Sequence, residues 1–260
     1  MKNYTLNDRT QQAIIPHLLI TEELLATIAS HHTAEILTMP DLGIAHNGTR
    51  MCGGFFTGSI YTWQSEIPLI PIDATVNVCG TCLYKLKYEI SIKEFINTVN
   101  EVLSDTSQYT WNYNNGNHFI TLLYSDGKLD IEEGYYMLVH ASANEYKYNP
   151  EEGLYPTSNV WYSPYIKTIQ KDNRYLRYIS GKNAERFYSI AHKLLGFNGN
   201  RNDFFIESVL KNNIDYKSLS IQHYGMPNPQ TICIGAHWEN KPYTLLTAPG
   251  KPIYIVNPID

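Results

Sequence analysis

Residues 91–139 constrain this chain most, because local chemistry alone writes a helix and a strand pair into them. Ser91-Ile92-Lys93-Glu94 forms a capping box, in which the serine hydroxyl and the glutamate carboxylate each satisfy an otherwise orphaned N–H of the first turn. Ile92, Phe95, Ile96, Val99, Val102 and Leu103 follow at helical spacing, which predicts a helix over 91–104. Asn112 to Gly116 is then rich in turn formers, Phe119–Tyr124 and Tyr135–Val139 are apolar, and Asp126-Gly127 lies between those runs. The pattern predicts two paired strands, with His118 and His140 each at one end of a strand.

Elsewhere the signals are shorter. Thr21-Glu22-Glu23-Leu24-Leu25 has a hydroxyl N-cap and two carboxylates suited to the helix dipole, which predicts a helix start there. Glycines at 43, 48, 53, 54 and 58 predict loop and turn from Met39 to Gly58, and Ile67 to Cys82 reads as a buried strand. Phe187, Ile190, Ala191, Leu194 and Leu195 share one helical face with Gly196 placed as a stop, and a further helix is expected from about Asn202 to Leu210. Short strand-like runs fill Thr231 to Pro258. The mixture implies an α/β (α+β) class, and no linker composition divides residues 1–260, so the expectation is a single domain.

A chain of 260 residues buries enough surface to fold without disulfides or a structural metal, so a metal here would be functional. Cys52, Cys79, Cys82 and Cys233 do not resemble a disulfide framework, and no secretion signal or apolar run of spanning length is visible. A cytoplasmic protein without a membrane partner is expected. Net charge is −5, yet between Ser163 and Lys193 seven bases face only Asp172 and Glu185. Tyr165, Tyr175, Tyr178, Phe187 and Tyr188 are interleaved with those bases, a pairing that suits RNA phosphates and stacked bases; the alternative is a solvated face whose aromatics turn to the core.

Among nine histidines, His118, His140 and His223 sit at the ends of apolar runs beside small or polar residues, where an imidazole can point into a cavity. Three neutral imidazoles suit Zn²⁺, Mn²⁺ or Fe²⁺. Cys79-Gly80-Thr81-Cys82 is a lone C-x-x-C that supplies a metal thiolate, acts in redox chemistry, or does neither. The sequence has no nucleophile elbow, zincin helix, phosphate-binding P-loop or dinucleotide fingerprint.

Several segments, in order, resemble the RtcB-type RNA ligases. Met39-Pro40-Asp41 with Gly53-Gly54 is similar to that family's opening, and Pro71 to Cys82, PIDATVNVCGTC, is similar to its metal strand. Gly116 to Ile120 matches its GNHF segment, and Met137 to Ala143 its histidine-bearing strand. Asn200-Arg201, His223, and Pro249-Gly250 with Tyr254-Ile255-Val256 follow in the family's order. The resemblance implies an RtcB-like fold, one compact domain around a central manganese site, and GTP-dependent joining of an RNA 3′-phosphate or 2′,3′-cyclic phosphate to a 5′-hydroxyl. It implies His118, His140 and His223 as metal ligands and Asn117 as a cofactor-site residue.

At the family's metal aspartate stands Asn77, and at its bridging cysteine stands Gly80, leaving Cys79 or Cys82 as a displaced thiolate. An amide balances no charge, so one Mn²⁺ or Zn²⁺ is favoured over two. Thr121 replaces the family's glutamate, Asn144 its arginine, and Ile232 stands where its guanylylated histidine would be. His237 is the histidine available in the tail, as catalytic nucleophile or as a structural residue. The alternatives are a homologue that binds metal without ligating, acting on a phosphoester or holding RNA, and a metal-free interaction module.

Overall fold

The computed structural model describes residues 1–30, 32–45, 47–113, 118–127, 131–238, 243–245 and 254–256. In chain order its main elements are β1 (Lys2–Asn3), α1 (Arg9–Ile28), β2 (Thr33–Gly43), α2 (Gly48–Gly53), β3 (Thr57–Gln64), β4 (Leu69–Pro71) and β5 (Gly80–Leu86). There follow α3 (Ile92–Ser104), β6 (Phe119–Ser125), β7 (Gly134–Ala141), β8 (Lys167–Lys171), β9 (Arg174–Ser180) and α4 (Lys182–Leu210). The chain closes with β10 (Ile214–Gln222), β11 (Tyr224–Asn228), β12 (Thr231–Ile234), β13 (Tyr243–Leu245) and β14 (Tyr254–Val256). This is a mixed α/β protein with several sheets.

The residues cluster into two compact units. The first comprises Met1–Val78, Asn144–Leu194 and His223–Trp238, and the second Cys79–Ala143, Leu195–Gln222 and Glu239–Asp260. No described helix is long and apolar enough to cross a membrane.

In the first unit, β1-β2-β3-β12-β11 form one sheet and β4-β9-β8 another. Helix α1 begins well before the expected Thr21. Asp8 caps it by accepting from the Gln11 N–H while the Gln11 side chain returns to the Asp8 N–H, a reciprocal box written in Asp and Gln. Thr21 is buried mid-helix and donates its hydroxyl to the His17 carbonyl. The expected loop at 39–58 is also replaced: β2 runs on to Gly43, and α2 ends on Gly54, whose φ of +79° is the left-handed cap that glycine adopts without strain. A Cβ on Gly53 would stand 2.4 Å from that of Asp73, so this Gly-Gly pair serves close packing.

The second unit is built on the antiparallel sheet β10-β5-β7-β6. Its expected strand pair forms, with Phe119 opposite His140 and Ser125 opposite Gly134. Cys82, Tyr84, Leu86, Met137, Val139 and Ala141 pack with Phe95 of α3 and with Phe205, Ile206, Val209 and Leu210 of α4. Leu83, Tyr136 and Leu138 project to the other face with Phe119 and Leu123. Residues 67–82 are not one strand: β4 belongs to a first-unit sheet, and β5 opens the second unit.

Ser91 caps α3 as expected, accepting from the Glu94 N–H at 3.2 Å. The helix buries Phe95, while Ile92 and Ile96 of the expected apolar face are exposed. Ser91→Ala is expected to cost about 1 kcal/mol, measured as a lowered urea midpoint at unchanged slope. Helix α4 does not stop at Gly196. It takes no left-handed conformation there, and the helix continues to Leu210 because Phe205, Ile206, Val209 and Leu210 are core residues.

Candidate functional site

One corner of the second unit's sheet gathers the chemistry. β5 and β6 begin there and β7 ends there, with Gly80 opposite Ala141, Thr81 opposite His140, and Phe119 opposite His140. Strand alternation puts Thr81, Phe119 and His140 on one face of the sheet. Cys79 and His118 are the residues immediately before β5 and β6. The pairing therefore brings together three side chains that are 22 to 61 positions apart in the sequence.

The His118 and His140 rings meet edge to face with centroids 5.3 Å apart, and Phe119 packs against His140 at 5.5 Å. His118 Nδ1 lies 2.9 Å from the Asn112 carbonyl oxygen. Because a carbonyl only accepts, Nδ1 carries the proton, and the Nε2 lone pair is left to face Cys79 Sγ at 3.8 Å. Burial pushes the His118 pKa below its ordinary value, the Asn112 carbonyl opposes this, and the Arg201 charge adds to the lowering. Neutral His118 is thus the form favoured near pH 7, with its tautomer fixed as a metal-ligating imidazole requires.

Asn112, Asn198 and Arg201 support this corner from below. Arg201 is fully buried, donates to the Ser142 carbonyl, to the Thr110 carbonyl at 3.1 Å and to Asn198 Oδ1 at 3.0 Å, and lies over the Phe197 ring. Asn198 Nδ2 donates to the Ala141 carbonyl at 3.1 Å, and Asn112 Nδ2 to that of Ser142. The Thr81 and Ser142 hydroxyls are buried without a hydrogen-bond partner among the described residues, at the same corner. Sequence reasoning missed Thr81, Asn112 and Asn198. A signal was present for part of it: Asn198, Arg201 and Asn202 repeat at helical spacing on the face that becomes apolar at Phe205.

The donors fit a metal in part. A tetrahedral ion with S and N ligands holds the two donor atoms about 3.6 Å apart, close to the Cys79–His118 separation. The orphaned Thr81 and Ser142 hydroxyls supply polar lining beside them. Yet among the described residues no three or more His, Cys, Asp or Glu side chains stand as a set that could hold an ion. Cys82 lies on the helix-covered face, 3.6 Å from Ser220 Oγ, and burial pushes its thiol pKa up, so the two cysteines do not act as a pair.

Of the remaining expected site residues, His223, His237 and Asn77 lie in the first unit. His223 directly follows β10, and its ring is 6.0 Å from that of His237. The Ala236 N–H donates to the His223 carbonyl at 3.0 Å. Asn77 accepts from the Val78 N–H at 3.1 Å. Asn117 is outside the described residues. In the basic segment Lys171, Arg177 and Lys193 pair with Glu23, Asp73 and Glu152, and the Arg186 guanidinium sits 4.3 Å over Trp161. Much of the charge that marked this stretch in the sequence is therefore answered within the unit. No protein-family model, no curated protein and no solved structure matches the chain.

Proposed function

We propose that this chain is a metal-dependent protein acting on RNA ends, in the manner of the RtcB-type ligases its motif order resembles, with Cys79 and His118 as donors beside His140. The observation that carries this reading is the meeting of Cys79, His118 and His140 at one sheet corner, with the His118 tautomer set by the Asn112 carbonyl. Mn²⁺ or Zn²⁺ bound there would neutralise charge on a terminal phosphate as a Lewis acid. His118 contributes an uncharged nitrogen, and Cys79 the anionic sulfur that offsets part of the ion's charge.

Lys167, Lys182 and Arg186 pair with no carboxylate among the described residues, and they are the bases left for an RNA backbone. GTP-dependent joining further requires a nucleophile for GMP, and His237, with His223 beside it, is the histidine assigned to it. None of the four cysteines is in a disulfide, which suits a cytoplasmic setting.

The Cys79–His118 contact also supports a second reading as a nucleophilic dyad. The Cys79 proton passes to His118 Nε2, the thiolate adds to an acyl carbon, the bond to the leaving group breaks as the imidazolium returns the proton to it, and the Asn112 carbonyl holds the imidazole through Nδ1–H. Elemental analysis of the purified full chain separates the two. Metal near one equivalent, lost in His118→Ala, is the expected result. Metal-free protein whose Cys79 alkylation slows in His118→Ala overturns the metal reading in favour of the dyad. Label from α-³²P GTP retained by metal-loaded protein and lost in His237→Ala is expected of a ligase; no retained label removes ligation.

A further inference from the structure

Away from these residues, the first unit contains a cavity of about 620 Å³. Helix α1 lines it along one face with Thr10, Ala13, Ile14 and His17, and Ile44, Met51 and Phe56 complete an apolar wall. A space of this volume suits a small organic molecule. Ile44 is 58% and Met51 43% exposed, so apolar surface is left open at this opening.

Two guanidinium groups, Arg9 and Arg174, stand in that wall, and no carboxylate is among the lining residues. Arg174 donates to the Met51 and Cys52 carbonyls at 3.5 and 3.4 Å and to His17 Nδ1. These contacts fix the guanidinium in place, but none of them offsets its charge. Because arginine only donates, His17 accepts at Nδ1 and carries its proton at Nε2, which makes it an uncharged donor at the same wall. His17 also stacks on Phe56 with ring centroids 6.4 Å apart.

A neutral apolar molecule filling this space would strip water from two cations and return nothing to them. A small inorganic anion would leave the apolar wall wet. We propose that the cavity binds a small amphipathic anion, a carboxylate or phosphate monoester head held by Arg9 and Arg174 on an apolar body of about ten to fifteen heavy atoms. Arg174 is held before the ligand arrives, so less side-chain entropy is lost on binding. This site is independent of the RNA-end reading and stands or falls separately.

Cys52 lines the cavity and is exposed, whereas Cys79, Cys82 and Cys233 are buried, so its modification by N-ethylmaleimide reports on occupancy. The test follows that modification by mass spectrometry on the full chain, with decanoate, decyl phosphate, decanol, acetate and inorganic phosphate as probes. Decanoate or decyl phosphate is expected to slow it about tenfold at saturation, and the one effective at lower concentration names the preferred head group. Arg9→Gln, a change in the exposed first turn of α1, is expected to raise the protecting concentration about tenfold, as the loss of one charge-assisted hydrogen bond would. Acetate and phosphate alone should leave the rate unchanged. Equal protection by decanol and decanoate, no protection by either amphiphilic anion, or the same protecting concentration in Arg9→Gln would overturn the proposal.

Discussion

Arg201→Met is expected to destabilise the protein by about 2–4 kcal/mol, read as a fall in the urea midpoint. Methionine fills most of the volume but donates nothing. The guanidinium serves the Thr110 carbonyl, the Ser142 carbonyl and Asn198 Oδ1 together, and all three lose a donor at a buried position. Each buried acceptor left without its bond costs about 1–3 kcal/mol, partly offset because a buried positive charge is removed at the same time. Arg201→Lys should recover little, since one ammonium on a flexible stem cannot span three acceptors that a planar fork reaches at once.

The consequence extends to the site, because Ser142 follows the strand that carries His140, and Asn112 both bonds Ser142 and holds His118. Loosening of this clamp should therefore expose Cys79 to alkylation at urea concentrations where the wild type is still protected. Wild-type midpoints in both variants would show that the guanidinium does not act as a clamp.

What could be read from the sequence was local. Helix α3 was legible because its cap lies three residues from its partner, and the β6–β7 pair because two apolar runs flank a turn dipeptide. That pair also explains why His118 and His140 could be expected near each other: the register that sets Phe119 opposite His140 leaves His118 one residue away. The association of Cys79 with them depends on β5 pairing with β7 across more than fifty residues, which no local pattern specifies.

The errors share a cause. Thr21 satisfies the composition of an N-cap, yet Asp8 and Gln11 had already begun the helix, and Pro16 within it did not end it. Gly196 has the residue type of a stop signal, but a stop also needs a left-handed backbone, and core contacts farther along α4 keep the helix going. In the sequence Arg201 stands out only as half of an Asn-Arg dipeptide. Its role depends on Thr110 and Ser142, distant in sequence and contributing only their main-chain oxygens, which a sequence does not display.

The second large effect is expected at Asp73 and Arg177. Asp73 is fully buried in the turn after β4, and Arg177 on the paired strand β9 reaches its two carboxylate oxygens through Nε at 2.9 and 3.1 Å. Burial lifts the Asp73 pKa above the ordinary carboxylate value, and the Arg177 hydrogen bonds and charge pull it back. Arg177→Met removes that pull and leaves a carboxylate enclosed without its cation, a loss of about 3–5 kcal/mol at pH 7.5.

The pH dependence has a definite sign. A carboxyl whose folded pKa is raised binds more protons in the folded state than in the unfolded chain between the two values, so stability is lost as pH rises through that window. The deficit of Arg177→Met should therefore shrink as pH is lowered from 7.5 toward 5, where Asp73 takes up a proton. Adding Asp73→Asn removes the ionisable group, so the double variant should be more stable than the single one at pH 7.5 and lose the slope. Urea titrations of wild type and both variants at the two pH values test this directly. A deficit in Arg177→Met that is the same at both would mean that Asp73 is not the group left exposed to burial, and that the pair holds β4 to β9 by shape alone.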